Sequence, residues 1–354
     1  MTKRILIMAG GTGGHIFPGL AVAQELSTKG WQVLWLGTAD RMEADLVPKA
    51  GFDIEFINIK GVRNKSKLAK FKSPFMVLNA VMQARKVIKQ FKPDVVVGFG
   101  GYVALPGGIA AWLAKVPLVI HEQNAAVGLT NRILSRFANK VLVAFSGFEH
   151  LGNKMVRVGN PLRKQIAPAV SPKVTAPVSI LVVGGSLGAQ ALNQYVPKAL
   201  AGFAQNDFCV LHQAGKGQQA ETEQAYQQTA INYQVVEFID DMASAYEKAD
   251  LVICRAGALT VSEIAAIGRA SIFVPLPHAV DDHQTFNARV LVDASCGYLL
   301  PQNQLANGEL APLLAQIKAK PEQLIEMAAA CKQVAVLDSR EKIGTLLEQL
   351  VQSK

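Results

Sequence analysis

Arg4-Ile5-Leu6-Ile7-Met8-Ala9-Gly10-Gly11-Thr12-Gly13-Gly14-His15 opens the chain, and Ser179-Ile180-Leu181-Val182-Val183-Gly184-Gly185-Ser186-Leu187-Gly188-Ala189 repeats its plan far downstream. In both, an unbroken apolar run of strand length breaks into glycines and a helical pattern follows. A strand that is apolar at nearly every position is buried on both faces, the mark of a parallel sheet covered by helices. Further apolar runs continue the alternation at 32–36, 94–97, 117–120 and 140–144, then at 208–212, 234–237, 251–254 and 271–274. The first glycine turn leads into a helical pattern over 18–29, and three more, from Gln304, Pro321 and Asp338, close the chain. Two strand–glycine–helix openings predict an α/β chain with two Rossmann-like, doubly wound parallel-sheet domains. Periodicity fails over 159–177, which places the domains at 1–163 and 164–354, with the last helix able to pack back on the first.

The composition fits two packed cores. The chain has 354 residues, of which 50% are apolar and 18% charged, which excludes a disordered protein. Four cysteines, Cys209, Cys254, Cys296 and Cys331, lie far apart with no CxxC pair, so reduced thiols in a cytosolic protein are expected. The apolar run after Lys3-Arg4 is too short for a secretory segment. The best spanning stretch, 102–120, is broken by Pro106, Gly107, Gly108, Lys115 and Pro117. A soluble or peripheral protein is expected.

Charge is unevenly placed. Residues 1–163 carry 22 Lys+Arg against 9 Asp+Glu, while 164–354 carry 14 against 18. Ten basic residues and no acid fall between Lys60 and Lys92, interleaved with Leu68, Phe71, Phe75, Met76, Val77 and Leu78. Most charge runs are solvated faces. This one is better matched to an anionic membrane surface, with Lys65, Lys67, Lys70 and Lys72 as the cations and Phe71 and Phe75 as the inserting rings. No helix-turn-helix, RNP or zinc motif accompanies it, so nucleic acid is not a predicted partner.

Glycine turns after parallel strands are where such folds bind phosphate, because helix N-terminal amides are unpaired and no Cβ blocks approach. The dinucleotide fingerprint fails in both turns, as Ile16 and Ser186 occupy glycine slots, and no acid ends the strand at Leu36-Gly37. Neither turn carries the Lys-Ser or Lys-Thr of an ATP loop. A nucleoside diphosphate is the remaining phosphate ligand. In the third turn, Cys254-Arg255-Ala256-Gly257-Ala258-Leu259-Thr260-Val261-Ser262-Glu263, Glu263 is either a ribose-binding carboxylate or an acid that favours the helix dipole. His278, Asp281, Asp282 and His283 lack the spacing of a helical zinc pair, and no metal or cofactor is predicted.

Nine ordered motifs then carry a resemblance: GGTGGHIFPGLAVA (10–23), WLGTADRMEADLVPKAG (35–51), GFGGYVALPGG (98–108), HEQNAAVGLTN (121–131), GNPLR (159–163), GGSLGA (184–189), FIDDM (238–242), CRAGALTVSE (254–263) and DDHQTFNA (281–288). Together they resemble the bacterial UDP-N-acetylglucosamine–N-acetylmuramyl-(pentapeptide) pyrophosphoryl-undecaprenol N-acetylglucosaminyltransferases over nearly the whole chain. That resemblance implies a GT-B fold, with two domains facing a central cleft, and synthesis of lipid II for peptidoglycan. It implies UDP-N-acetylglucosamine and lipid I as substrates, the cytoplasmic face of the inner membrane as the location, and cell-wall synthesis or division proteins as partners.

Residue by residue, the resemblance gives Ser186 and its glycine turn to the diphosphate, the backbone of Ile239 to uracil and Arg163 to the nucleotide. It gives Glu263 to the ribose hydroxyls, and Ala258, Leu259, Thr260, Val261 and Ser262 to the pocket around the nucleotide and phosphates. Gln284 and Asn124 would position the sugar, and Thr12, Gly13 and Gly14 would approach the reacting centre. The chain departs from the pattern at Gly268-Arg269-Ala270-Ser271, where Gly-x-Pro is commoner, and at Ala279-Val280-Asp281-Asp282. Inverting attack by the muramyl 4-hydroxyl on C1 needs a base, for which His15 is the first candidate and Glu122 the reserve. His15 could equally cap its helix, and His121 could orient loops. His150 and His212 are expected at a surface and on a strand, and Trp31, Trp35 and Trp112 in the core. The rival readings are a diacylglycerol sugar transferase or UDP-sugar epimerase of the same fold, and a non-enzymatic UDP-sugar-sensing membrane adaptor.

Overall fold

The computed structural model describes residues 2–60, 67–170, 172, 174–185, 188–277, 279 and 282–353, with the side chains of 67–73 and Glu149 outside the description. Two compact units result, one of residues 1–164 with 338–354 and the other of 165–337.

The first unit begins with β1 (Arg4–Ala9), α1 (Gly13–Thr28), β2 (Gln32–Gly37), α2 (Glu43–Lys49) and β3 (Asp53–Phe56). It continues with α3 (Lys67–Phe91), β4 (Val95–Gly100), α4 (Ala104–Leu113), β5 (Leu118–Glu122) and α5 (Leu129–Leu134). Strands β6 (Lys140–Val143) and β7 (Met155–Arg157) follow, joined through a 3₁₀ segment, Glu149–Lys154. All seven strands are parallel, in the order β3-β2-β1-β4-β5-β6-β7. The order reverses beside β1, and such reversals open a crevice at the carboxyl ends of the strands.

The core explains the apolar runs. Ile5, Ile7, Val95, Val97 and Phe99 are fully buried, and Trp35 sends its indole N–H to the Ala9 carbonyl at 2.8 Å. Gly19 of α1 lies flat on that indole, where a Cβ would come within 2.6 Å of the ring. Helix α1 starts at Gly13, ahead of the expected Pro18, because packing on the sheet outweighs the poor helix propensity of Gly13 and Gly14.

The second unit runs β8 (Val178–Val183), α6 (Gln190–Leu200), β9 (Phe208–Gln213), α7 (Gln219–Tyr226), β10 (Asn232–Val236) and α8 (Met242–Lys248). Then come β11 (Leu251–Cys254), α9 (Ala258–Ile267), β12 (Ala270–Phe273), α10 (His283–Val292) and β13 (Gly297–Leu299). Helices α11 (Gln302–Ala306), α12 (Leu310–Ala319) and α13 (Gln323–Val334) complete it. Its six parallel strands are ordered β10-β9-β8-β11-β12-β13 and again reverse at the first strand.

After Leu337 the chain returns to the first unit as α14 (Ser339–Gln352), whose Ile343 and Leu347 are fully buried in the same cluster as Leu26 and Trp31. Four helices therefore close the chain where three were predicted, since α11 is too short to carry a periodic signal. Trp112 also departs from expectation: it is 51% exposed near the end of α4, where its ring meets that of Phe137 at 5.0 Å. His150 is exposed, His212 is a buried strand residue, and the four cysteines are free thiols.

Because Leu347 is fully buried, Leu347→Ala should lower stability by about 2–5 kcal/mol in urea unfolding. A change below about 1 kcal/mol would show that α14 is not part of the first core.

Candidate functional site

In the second unit the carboxyl ends of β8 and β11 and the starts of α6 and α9 surround a pocket of about 720 Å³. The size is that of a small-molecule site. Gly184, Gly185, Gly188 and Ala189 form one wall, Gly257 and Thr260 another, and Gln284 and Gln302 close the rim. At Gly188, φ is +74° and an added Cβ would overlap the Ala214 carbonyl, so only glycine fits. Two helix N-termini thus turn amides and positive partial charge into one space, an arrangement that favours a phosphate-bearing ligand.

Arg255 adds a full charge to that wall. Its guanidinium donates to the carbonyls of Val274 and Pro275 at 3.1 and 3.0 Å and to Gln302 Oε1 at 2.7 Å. Burial lowers its pKa, yet an arginine stays cationic at neutral pH. The sequence reading passed over Arg255, although an arginine directly after a buried parallel strand is a legible signal. Gln284 accepts the Leu276 N–H at 2.8 Å, which fixes its side chain at the rim.

Glu263 lies in the second turn of α9, 7% exposed, and accepts the Tyr246 hydroxyl at 3.2 Å. Thr260 reaches the pocket, whereas Val261 is fully buried, so its side chain packs in the core and does not line the pocket. Ala258 is buried at the helix start, Leu259 and Ser262 are half-buried, and Ile239 is half-buried in the turn after β10. Ser186, Leu187, His278, Val280 and Asp281 lie outside the described residues. Asp282 adopts φ 50° before α10 and accepts the Thr285 hydroxyl at 2.7 Å.

The remaining candidates belong to the first unit. Thr12 precedes α1, and its hydroxyl lies 3.4 Å from His15 Nδ1. The His15 imidazole rests on Gly100, where φ is +110° and a Cβ would come within 2.7 Å of the ring. Beneath this turn sits Glu43, which sequence reasoning did not single out. Fully buried, it accepts Gly11 N–H at 3.0 Å, Thr38 N–H at 3.0 Å and the Thr38 hydroxyl at 2.7 Å.

Glu122 is an anchor rather than a base. Its Oε1 accepts the Asn124 backbone and side-chain N–H at 3.1 and 3.3 Å, and its Oε2 accepts Gly128 N–H at 3.0 Å and Asn131 Nδ2 at 2.9 Å. Those four bonds fill the capacity of a carboxylate. His121, as expected, ties loops: Nε2 is 2.9 Å from the Gly159 carbonyl, beside Asn160, which donates to the Gln123 carbonyl at 3.1 Å. Arg163 is exposed, 5.7 Å from the centre of the Phe17 ring. Gly13 and Gly14 form the first turn of α1. Of the membrane candidates, Lys65 lies outside the described residues, and Lys67, Lys70, Phe71 and Lys72 are placed on α3 by their backbone alone. Phe75 is 72% exposed. Among the described residues no group of three His, Cys, Asp or Glu could hold a metal, and no helix is long and apolar enough to cross a membrane.

Residues 5–143 match the N-terminal domain of glycosyltransferase family 28, and residues 179–343 match its C-terminal domain. A protein of Shewanella denitrificans, named UDP-N-acetylglucosamine–N-acetylmuramyl-(pentapeptide) pyrophosphoryl-undecaprenol N-acetylglucosamine transferase, is 52% identical over 99% of this chain and 98% of its own length. The chain belongs to this transferase family. A Pseudoalteromonas translucida protein of the same name is also 52% identical, over the full length of both chains. The crystal structure of Acinetobacter baumannii MurG superposes with a TM-score of 0.85 at 41% identity, covering 98% of this chain and 99% of that one. The fold is therefore GT-B, as the resemblance implied. The UDP-GlcNAc 2-epimerase of Neisseria meningitidis, at 13% identity and a TM-score of 0.68 over 98% of this chain and 100% of that one, shares the fold alone.

Two buried imidazoles bear on pH. Burial pushes His121 down to about 4 and His212 down to about 3, from 6.5. As pH falls below about 6.5 the unfolded chain takes up protons that the folded chain refuses. Their contribution is complete above pH 6.5 and is lost as pH falls through the folded values. The urea midpoint should drop between pH 7 and pH 5, and a midpoint constant over that range would contradict the neutral, buried state of both rings.

Proposed function

We infer that this chain transfers N-acetylglucosamine from UDP-N-acetylglucosamine to the muramyl 4-hydroxyl of undecaprenyl-pyrophosphoryl-MurNAc-pentapeptide (lipid I). The products are β-1,4-linked lipid II and UDP, in peptidoglycan synthesis. The observation that carries the reading is 52% identity across 99% of the chain to a relative bearing that name. The pocket of the second unit supplies chemistry suited to the donor.

The diphosphate would take the amides of the Gly184–Gly188 turn, with Ser186 among its donors and the Arg255 charge behind it. Glu263 would accept hydrogen bonds from the ribose hydroxyls, the Ile239 backbone would read the uracil edge, and Arg163 would contact the nucleotide. Gln284 and Asn124 would orient the sugar, and Thr12, Gly13 and Gly14 would meet the acceptor. The chain itself is divided for this work, with residues 1–163 serving the acceptor and the membrane and the later domain serving the donor.

The acceptor hydroxyl attacks C1 as the C1–O bond to the diphosphate breaks, and the electron pair leaves with UDP. Amides aimed at the leaving group stabilise the charge that develops there, and fixed orientation of both sugars lowers the entropic part of the barrier. His15 takes the hydroxyl proton. For that, Nδ1–H donates to the Thr12 hydroxyl and Nε2 is the basic nitrogen. His15→Gln should lower kcat by about 10²–10⁴-fold with UDP affinity kept, measured by transfer of labelled N-acetylglucosamine to a lipid I analogue. Unchanged turnover removes His15 as the base. Transfer to diacylglycerol instead, or donor loss without acceptor, would overturn the assignment itself.

The protein works peripherally at the cytoplasmic face of the inner membrane. On α3 the exposed Phe75, Leu78 and Met82 share one face, and the exposed Lys86 and Lys89 continue it. An apolar stripe that becomes cationic matches an anionic bilayer, where each basic side chain contributes about 1 kcal/mol. Reversing charge at Lys65, Lys67, Lys70 and Lys72, or replacing Phe75 and Leu78 by Ser, should release the protein from anionic vesicles. Retained vesicle affinity in both variants would refute docking through this helix.

A further inference from the structure

Behind the glycine turn of the pocket lies a buried polar chain that the proposed reaction does not use. His212, on β9, is fully buried between α6 and α7. Its Nδ1 is 2.9 Å from the Tyr226 hydroxyl and its Nε2 is 3.0 Å from Asn193 Oδ1. Counting donors fixes the direction of each bond. Asn193 Nδ2 donates to the Ala214 carbonyl and to Gln218 Oε1, both at 2.9 Å, so Asn193 Oδ1 accepts from His212 Nε2–H. A neutral imidazole carries one N–H, so Nδ1 accepts from Tyr226. The ring stays neutral near pH 7 because burial lowers its pKa to about 3.

The chain ends on an atom that touches the pocket wall. The Ala214 carbonyl is the one against which Gly188 is packed. Between these contacts, Gln213 donates to the Gly185 carbonyl at 3.1 Å. Three consecutive residues at the end of β9 thus hold the glycine turn and the first turn of α6. A glycine turn is conformationally loose, and amide donors that must meet an anion have to be held within about 0.5 Å. A directional, fully satisfied buried chain supplies that constraint where apolar packing would allow sliding.

We propose that His212 and Asn193 are positioning residues for the donor diphosphate: they fix the first turn of α6 and so the aim of the Ala189 and Gln190 amides. This rests on the pocket being the donor site. It assigns a diphosphate-selective task to residues that touch no substrate.

The test compares UDP with uridine, binding to the full-length protein by calorimetry, because only UDP carries the diphosphate. His212→Phe should weaken UDP about tenfold while uridine affinity stays within about twofold, as expected for one lost buried hydrogen bond acting through the turn. His212→Gln places an amide N–H where Nε2–H stood and should restore most of the loss. In turnover, His212→Phe should raise KM for the donor and also lower kcat, because the same amides stabilise the departing diphosphate, and His212→Gln should recover most of both. A parallel loss of both ligands, or no loss of either, overturns the inference. Should His212→Phe fail to fold, Tyr226→Phe removes only the donor to Nδ1 and must give a smaller loss confined to UDP. An unchanged UDP-to-uridine ratio in Tyr226→Phe also overturns it. A wild-type protein that binds uridine as tightly as UDP defeats the donor-site reading, and the inference with it.

Discussion

Backbone amides at the start of a helix can meet an anion only if the chain before them turns sharply with no side chain in the way, and this constraint organises the molecule. Both units satisfy it at the strand where their sheets reverse order, β1 in one and β8 in the other. The sheet fixes the strand, the apolar face of the following helix fixes its axis, and glycine lets the backbone between them close. In the second unit the closure is tight enough that Gly188 sits on the Ala214 carbonyl. Gln213 braces that turn through the Gly185 carbonyl, and Arg255 adds charge beside it.

The two turns look alike in sequence and are held differently. In the second unit, neutral groups at the end of β9 support the turn, and the Arg255 cation stands beside it. In the first, a buried carboxylate, Glu43, takes the Gly11 amide for itself. An amide bonded to a carboxylate is not offered to a phosphate, and the negative charge opposes a second one nearby. The pocket of the second unit and the Glu43-braced turn are therefore not chemically interchangeable.

Much of the fold was legible because apolar runs of strand length have few alternatives in a chain that alternates them with helices. The strands that escaped notice, β3, β7 and β13, are three or four residues long and partly exposed, so they lack the apolar run that marks the others. Trp112 shows the limit of reading burial from residue type, since its place near the end of α4 leaves half of it in solvent. At the candidate site, the glycine turns could be found from order along the chain. Glu43, Glu122 and His212 could not be assigned their tasks, because these depend on partners brought together by the sheet. Glu122 in particular reads as a free acid until the Asn124, Gly128 and Asn131 donors fill it.

The most direct measurement is a crystal structure of the protein with UDP. The account predicts the β-phosphate within hydrogen-bonding distance of the amides at 184–189 and the ribose hydroxyls at the Glu263 carboxylate. UDP bound in the first unit, or in the second with its phosphates turned away from the start of α6, would contradict it.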